Sequence, residues 1–360
     1  MRTAVRMALG AALPLSLLAV APPASAEETV CGTVTDDWTV TTVGINAANG
    51  INDAGQIAGE RTTDSSTRSG VAVVWDEGEV TELGYLWGGW LRGRDSRAHD
   101  VDDQGRVVGV SSQLDGNVHA FLWENGWMKD LGAWGAQSWA QAVGGGHVGG
   151  YQEDPAYEGN YFQKWHASTW TGGTRSELPV TPGSQVIDVN ERGDAVGVHK
   201  LVDFPITGPQ EEIAHTAFAR IGGTVHDLGT VGGKWSIANG VNDDGLVVGQ
   251  SATDAGGVYR TGFAWTAGKG MRELPDYGVT GTDAAAVNNA GEIAGWFACP
   301  SGRSGVGVWP SPTSAPLFLP RPAGGERTWV TDINDRGDIV GTSIYPEGTR
   351  AVLWRKKTTG

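Results

Sequence analysis

Two stretches of this 360-residue chain hold oxygen ligands at a spacing that could open a calcium loop: Asp332-Ile333-Asn334-Asp335-Arg336-Gly337-Asp338 and Asp188-Val189-Asn190-Glu191-Arg192-Gly193-Asp194. Calcium takes six to eight oxygens. Both stretches place arginine just before the glycine, and no bidentate glutamate follows at loop spacing. A tight turn is the expected reading, with no metal and no cofactor; calcium is the one ion the pattern admits, and it is not favoured. Zinc is not expected, because His99, His119, His147, His166, His199, His215 and His226 are scattered singly without helix or knuckle spacing. No Gly-x-Ser-x-Gly nucleophile motif follows a strand and precedes a helix. Carboxylate pairs for glycoside hydrolysis leave no local signature when they come from separate segments. A polysaccharide hydrolase or lyase using Glu153, Asp154, Asp203 or Glu211 therefore stands as an alternative function.

The aromatic residues carry the stronger signal. Tyr85, Trp87, Trp90, Trp134, Trp139, Trp235, Tyr277 and Trp329 fall in connecting segments that recur along the chain, and Tyr157 lies in one of the two longest loops. Arg92 and Arg94 share a segment with Trp90. Flat aromatic faces mixed with hydrogen-bonding side chains suit sugar rings and extended polymers. The expected ligand-binding set is Trp87, Trp90, Arg92, Arg94, Trp134, Trp139, Tyr157, Trp235, Tyr277 and Trp329, and the expected ligand is an extracellular glycan or protein. The bland alternative is that these rings turn inward and pack under the loops. A structural or adhesive surface protein without a pocket is the third functional reading.

The elements that must position these residues come from one phrase written seven times. Clear copies are Ala48-Asn49-Gly50-Ile51-Asn52-Asp53-Ala54-Gly55 and Ala238-Asn239-Gly240-Val241-Asn242-Asp243-Asp244-Gly245. Within a unit, short alternating segments break at Gly, Asn and Asp, which reads as strands joined by tight turns. In the fifth unit the strands are expected over 236–242, 246–252, 260–266 and 271–275. Four antiparallel strands in this length make one propeller blade. The turn glycines Gly55, Gly105, Gly146, Gly193, Gly245, Gly291 and Gly337 anchor seven units. First strands are rich in small residues, as an innermost strand requires. Third strands carry Trp75, Trp123, Trp170, Trp265, Trp309 and Trp354, read as blade-to-blade packing.

The seventh unit lacks a fourth strand, and 38–44 supplies an orphan one. The predicted fold is all-β: a seven-bladed propeller of four-stranded antiparallel blades, closed by the N-terminal strand completing the last blade. An open solenoid would need caps that the sequence does not show. Because a residue present in every blade is explained by the blade, Asn52, Asn190, Asn242, Asn288 and Asn334 are read as turn residues. Function is sought where the units differ, chiefly in the loops of blades 2 to 4, which include Tyr161, Asp203, Glu211 and Glu212.

His119-Ala120-Phe121, preceded by Val107-Val108-Gly109 and followed by Asp130-Leu131-Gly132, resembles the repeat of the extracellular HAF-repeat family. The resemblance covers essentially residues 38–356 and implies secretion and a repeat fold, but no established chemistry. Two units depart from it. Blade 3 lacks the Asn-Asp turn, and blade 4 has Arg220 where others have tryptophan.

Residues 1–26 read as a secretory signal peptide, with Arg2 and Arg6 before an apolar stretch and Ala24-Ser25-Ala26 at the cleavage site. Residues 27–37 form a lead-in, 38–356 the single domain and 357–360 a tail. The expected location is secreted, without membrane insertion. The net charge of −15 argues against nucleic acid and anionic membrane surfaces. The chain is expected to be monomeric. Its two cysteines, Cys31 and Cys299, would meet an oxidising environment that favours a disulfide.

Overall fold

The computed structural model describes residues 34–357 apart from 65–68, 89–94, 159–162, 201–214, 255, 258, 277 and 301–303. The signal peptide, Cys31, Trp90, Arg92, Arg94, Tyr161, Asp203, Glu211, Glu212 and Tyr277 lie outside the described residues. Seven separate four-stranded antiparallel sheets form the blades. Blades 1 to 6 span 47–84, 96–130, 138–177, 185–229, 236–273 and 281–318, and within each the strands pair in chain order from the axis outward. Blade 7 combines 327–356 with the N-terminal strand Trp38–Thr42 as its outer member. The expected closure is therefore observed, in register from Trp38 opposite Lys356 to Thr42 opposite Val352. Residues just before it also reach blade 6, where the Thr35 N–H donates to the Phe318 carbonyl at 2.9 Å. Cys299 is buried and disulfide-bonded, and the chain holds one other cysteine.

Each blade buries one apolar layer against the next. Trp170, Trp309 and Trp354 are fully buried, and each indole N–H donates to a carbonyl where the preceding blade ends: Leu131 at 3.0 Å, Pro275 at 2.9 Å and Pro320 at 2.8 Å. The hydrogen bond matters because an unpaired indole N–H in such a layer would be costly. Trp38 makes the same kind of closure, its Nε1 donating to the Gly337 carbonyl at 2.9 Å. In blade 4, Arg220 reaches the Gly193 carbonyl instead, at 3.2 Å.

The inner turns behave as their residue types dictate. Asn242 Oδ1 accepts from the N–H groups of Asp244 and Leu246 at 3.1 and 3.0 Å, folding the turn onto its own side chain. Gly245 then takes a φ of +73°, which a side chain would resist. Blade 3 is shortened to a two-residue turn between Gly144 and His147. There a Cβ on Gly145 would sit 2.3 Å from the Glu191 carbonyl oxygen, so the shortened turn needs glycine at this position.

Candidate functional site

All seven pairs of inner and second strands carry a β-bulge at one place, between Ala48 and Gly50 in blade 1 and at the equivalent residues of every other blade. A bulge takes one residue out of the ladder and re-aims its neighbours. Here the freed groups bond sideways to the adjacent blade, in tiers along the axis. In the first tier, Asn49, His99, Asn239 and Thr331 donate to the carbonyls of Ala98, Ala140, Ala284 and Ala48, at 2.7 to 2.9 Å. Burial holds the His99 pKa below its ordinary value, so the ring is a neutral donor.

The second tier uses carboxylates from blades 2, 4 and 7. Asp100, Asp188 and Asp332 each accept the N–H of the following residue, and then the N–H of Val143, Val241 and Ile51 in the next blade, all at 2.8 Å. The receiving blades carry Ala142, Gly240 and Gly50 at the matching position, where a Cβ on Gly50 would come within 2.5 Å of Asp100 Oδ1. Burial pushes Asp100 up to about 6 and Asp188 up to about 7, against the lowering effect of their N–H donors. Burial also raises Asp332 well above the carboxylate range, and the charges of Asp100 and Asp188 add to the effect.

The third tier is a chain of asparagines. Asn190, Asn242, Asn288 and Asn334 each donate from Nδ2 to the main-chain carbonyl of the equivalent residue in the next blade, at 2.9 to 3.0 Å, ending at Asn52. Asn52 continues to the Asp102 carbonyl at 2.9 Å. Blades 2 and 3 place Asp102 and Gly144 at this level and have no amide there to donate. At the outermost tier the N–H groups of Asp53, Glu191, Asp243, Asn289 and Asp335 meet a side-chain oxygen of the next blade at 2.7 to 3.1 Å.

These tiers enclose a cavity of about 630 Å³ on the axis, open at the end where inner strands turn into second strands. Its mouth is acidic, with Asp53, Asp103, Glu191, Asp243 and Asp335 together. Burial, reinforced by neighbouring acids, raises the pKa of Asp53 and Glu191. Asp100, Asp188 and Asp332 are committed to main-chain N–H groups and act as clips between blades, while Asp283 accepts from Asn239 Nδ2 at 3.2 Å. Of the calcium-like stretches, Asp332 turns to the axis while Asp338 accepts the Lys356 N–H at 3.0 Å, so the two acids serve different places. Among the described residues, no three His, Cys, Asp or Glu side chains converge as a metal site would need.

The described aromatic residues of the expected set lie towards the opposite end of the strands, where outer strands return to the axis. Trp87 is 80 % exposed, Trp134 is 73 % exposed and Trp329 is 38 % exposed. Trp87 and Trp134 belong to consecutive connections, from blade 1 to 2 and from blade 2 to 3. Trp139 is half-buried and stacks on Tyr151 with centroids 5.2 Å apart, edge-on to the buried Trp165 at 5.0 Å. Trp235 stacks against His215 at 5.7 Å and donates to the Gly257 carbonyl at 3.2 Å. Tyr157 donates to Gln163 Oε1 at 2.5 Å. The expected set thus divides into free indoles (Trp87, Trp134, and in part Trp329) and rings already engaged (Trp139, Tyr157, Trp235). Glu153 and Asp154, the described carboxylates of the hydrolase alternative, do not line the cavity. Glu153 holds Lys164 at 2.5 Å and the Gln137 N–H at 3.1 Å.

No protein-family model and no curated protein matches the chain. Solved structures do. Puromycin hydrolase superposes with a TM-score of 0.59 at 13 % identity, over 91 % of this chain and 55 % of that one. The β-propeller domain of the Trilobed protease from Pyrococcus furiosus gives 0.57 at 10 % identity, over 88 % of this chain and 95 % of that one. The acylaminoacyl peptidase of Pyrococcus horikoshii gives 0.54 at 9 % identity, over 88 % and 52 %. The fold is what they share. This chain spans about half the length of the hydrolase and of the acylaminoacyl peptidase. The Pyrococcus furiosus domain is described as having an open velcro topology, whereas here the terminal strands pair.

Proposed function

We propose that this protein is a binding module that works outside the cell and holds an extracellular glycan or a partner protein on the aromatic face of its propeller. The observation that carries the reading is the pair Trp87 and Trp134, two indoles left 80 % and 73 % exposed on consecutive loops. Large aromatic surface open to water is costly unless something covers it, and such patches mark interaction sites. Indole faces suit sugar rings as well as protein hot spots. The signal-peptide reading and the HAF-repeat resemblance support an extracellular setting, and the acidic charge supports a ligand other than nucleic acid.

The test is a glycan array probed with the protein and with a Trp87→Ala/Trp134→Ala variant. Retention on the wild-type hits should fall at least tenfold, while the melting temperature stays within a degree or two, because the removed rings bury little. A variant that unfolds, or one that binds as the wild type does, refutes the reading.

A further inference from the structure

Both ring nitrogens of His119 face carboxylates. Nδ1 lies 3.0 Å from Asp130 on the outer strand of blade 2, and Nε2 lies 3.1 Å from Asp115 in the loop between the second and third strands. The ring is 1 % exposed. A neutral imidazole has one N–H and one lone pair, so in either tautomer the lone pair would oppose an ionised oxygen. The site is shaped for the doubly protonated ring.

The other lone pairs of both carboxylates are also used. Asp115 accepts from the N–H groups of Asn117 and Gly135, each at 2.9 Å, and from Asn117 Nδ2 at 3.1 Å. Asp130 accepts from Gln113 Nε2 and the Gly132 N–H, each at 2.8 Å. Burial pulls the His119 pKa down, but its hydrogen bonds to Asp130 and Asp115 and their charges overcome this and leave it raised. Despite burial, the same contacts hold Asp115 down to about 2 and lower Asp130. These two acids are the charged groups acting on the ring; Gln113, Asn117 and the Ser138 hydroxyl around it are neutral.

The network reaches the loops of both Trp87 and Trp134. Gly135, which Asp115 holds, is the residue after Trp134. Gln113, which Asp130 holds, accepts the Leu114 N–H at 2.6 Å on its own Oε1. Leu114 then packs on Gly88, the residue after Trp87, so closely that a Cβ on Gly88 would lie 2.8 Å from Leu114 Cβ. In blade 3 the equivalent His166 meets Glu177 at 2.5 Å, but among the described residues its Nε2 has no hydrogen-bond partner. The double clamp belongs to the blade whose loops touch both indoles.

We propose that His119 is a positioning residue for the aromatic face: protonated, it pins the 113–117 loop and with it the loops of Trp87 and Trp134 in one arrangement, and on losing its proton it releases both. The proposal rests on the binding reading above. The sign follows from the raised pKa. The clamp is complete below the ordinary histidine value of about 6.5 and is lost as pH rises through the higher value of the folded protein.

The experiment uses protein labelled with 5-fluorotryptophan and followed by fluorine NMR from about pH 5 to about pH 10. Trp87→Phe and Trp134→Phe assign the two lines, and His119→Gln and Asp115→Asn are titrated alongside. Both lines should step together in the wild type, with one midpoint above 6.5, and neither variant should show the step. Retention on immobilised cellohexaose and chitohexaose should fall at least tenfold across the same midpoint. Lines that ignore pH in the wild type, or a step that survives in His119→Gln, overturn the proposal. If that variant fails to fold, the wild-type titration and Asp115→Asn decide. Indoles that step while neither sugar is retained at any pH would sustain the positioning role and count against the glycan reading. Retention without pH dependence would do the reverse.

Discussion

Replacing Asp188 with alanine should destabilise the protein strongly at pH 4 and far less at pH 8. Asp188 accepts two main-chain N–H groups at 2.8 Å, from Val189 and from Val241 in the next blade. Alanine leaves both donors unpaired at any pH, at about 1–3 kcal/mol each. Against that stands the pKa, raised by burial from 3.8 to about 7. The unfolded chain releases this proton near pH 4, whereas the folded chain keeps it until near pH 7. A group whose folded pKa is raised in this way makes stability fall as pH climbs between the two values, and the loss is complete above the higher one. Three pH units at 1.36 kcal/mol each come to about 4 kcal/mol. Alanine has no such loss. Its cost should therefore be about 2–6 kcal/mol at pH 4 and about 4 kcal/mol smaller at pH 8, which brings the variant close to the wild type. Asp332 owes part of its raised pKa to Asp188, so its relief acts in the same direction. Urea unfolding of both proteins at both pH values, followed by near-UV circular dichroism, gives the difference directly. An alanine cost that is equal at pH 4 and pH 8 would show Asp188 ionised in the folded protein and refute the reasoning.

Three further outcomes are expected. Asn242→Ala removes two turn bonds and one bond to blade 6 and should lower the unfolding free energy by about 2–4 kcal/mol in urea. Gly145→Ala should cost far more than Gly126→Ala by the same measurement. Both have positive φ, but a new Cβ meets the Glu191 carbonyl at 2.3 Å in the first and nothing within 4 Å in the second. Reduction of the protein should lower its stability by about 2–5 kcal/mol, through Cys299, as a downward shift of the urea midpoint in dithiothreitol.

The blades were readable because each is a local pattern of alternation and turn chemistry. Closure was readable because a missing fourth strand and a spare one are both visible in the residues. The bulges were not. At the bulged position the blades carry Asn49, His99, Gln141, Ile187, Asn239, Ala285 and Thr331, which share no residue type, because what they share is an unpaired backbone group. Asp188 and Asp332 stand out in the sequence only as the start of calcium-like stretches, and Asp100 not at all, for a related reason. Their partners lie on the next blade, a neighbour that only the closed ring creates. His119 reads in the sequence as one of seven scattered histidines, yet its local surroundings hold a signal: Asp115 four residues before it and Asp130 on the paired strand. Discounting shared positions located the turn asparagines correctly as scaffold. What sets His119 apart from His166 lies in its surroundings and not in the repeat.

The strand Trp38–Thr42 is made first and used last. Its partner Gly348–Lys356 follows about 300 residues later, and at about 5–20 residues per second that delay is on the order of tens of seconds. Blades 1 to 6 need only their own hairpins and can form in turn as the chain emerges, while the first strand waits with its backbone donors and acceptors unpaired. A waiting strand of Trp, Thr and Val is a template for another copy of the chain. Productive folding is therefore a race between the arrival of the last strand and an encounter with a stranger, and slowing emergence near residue 348 should raise the yield of aggregates more than slowing it anywhere within blades 2 to 6.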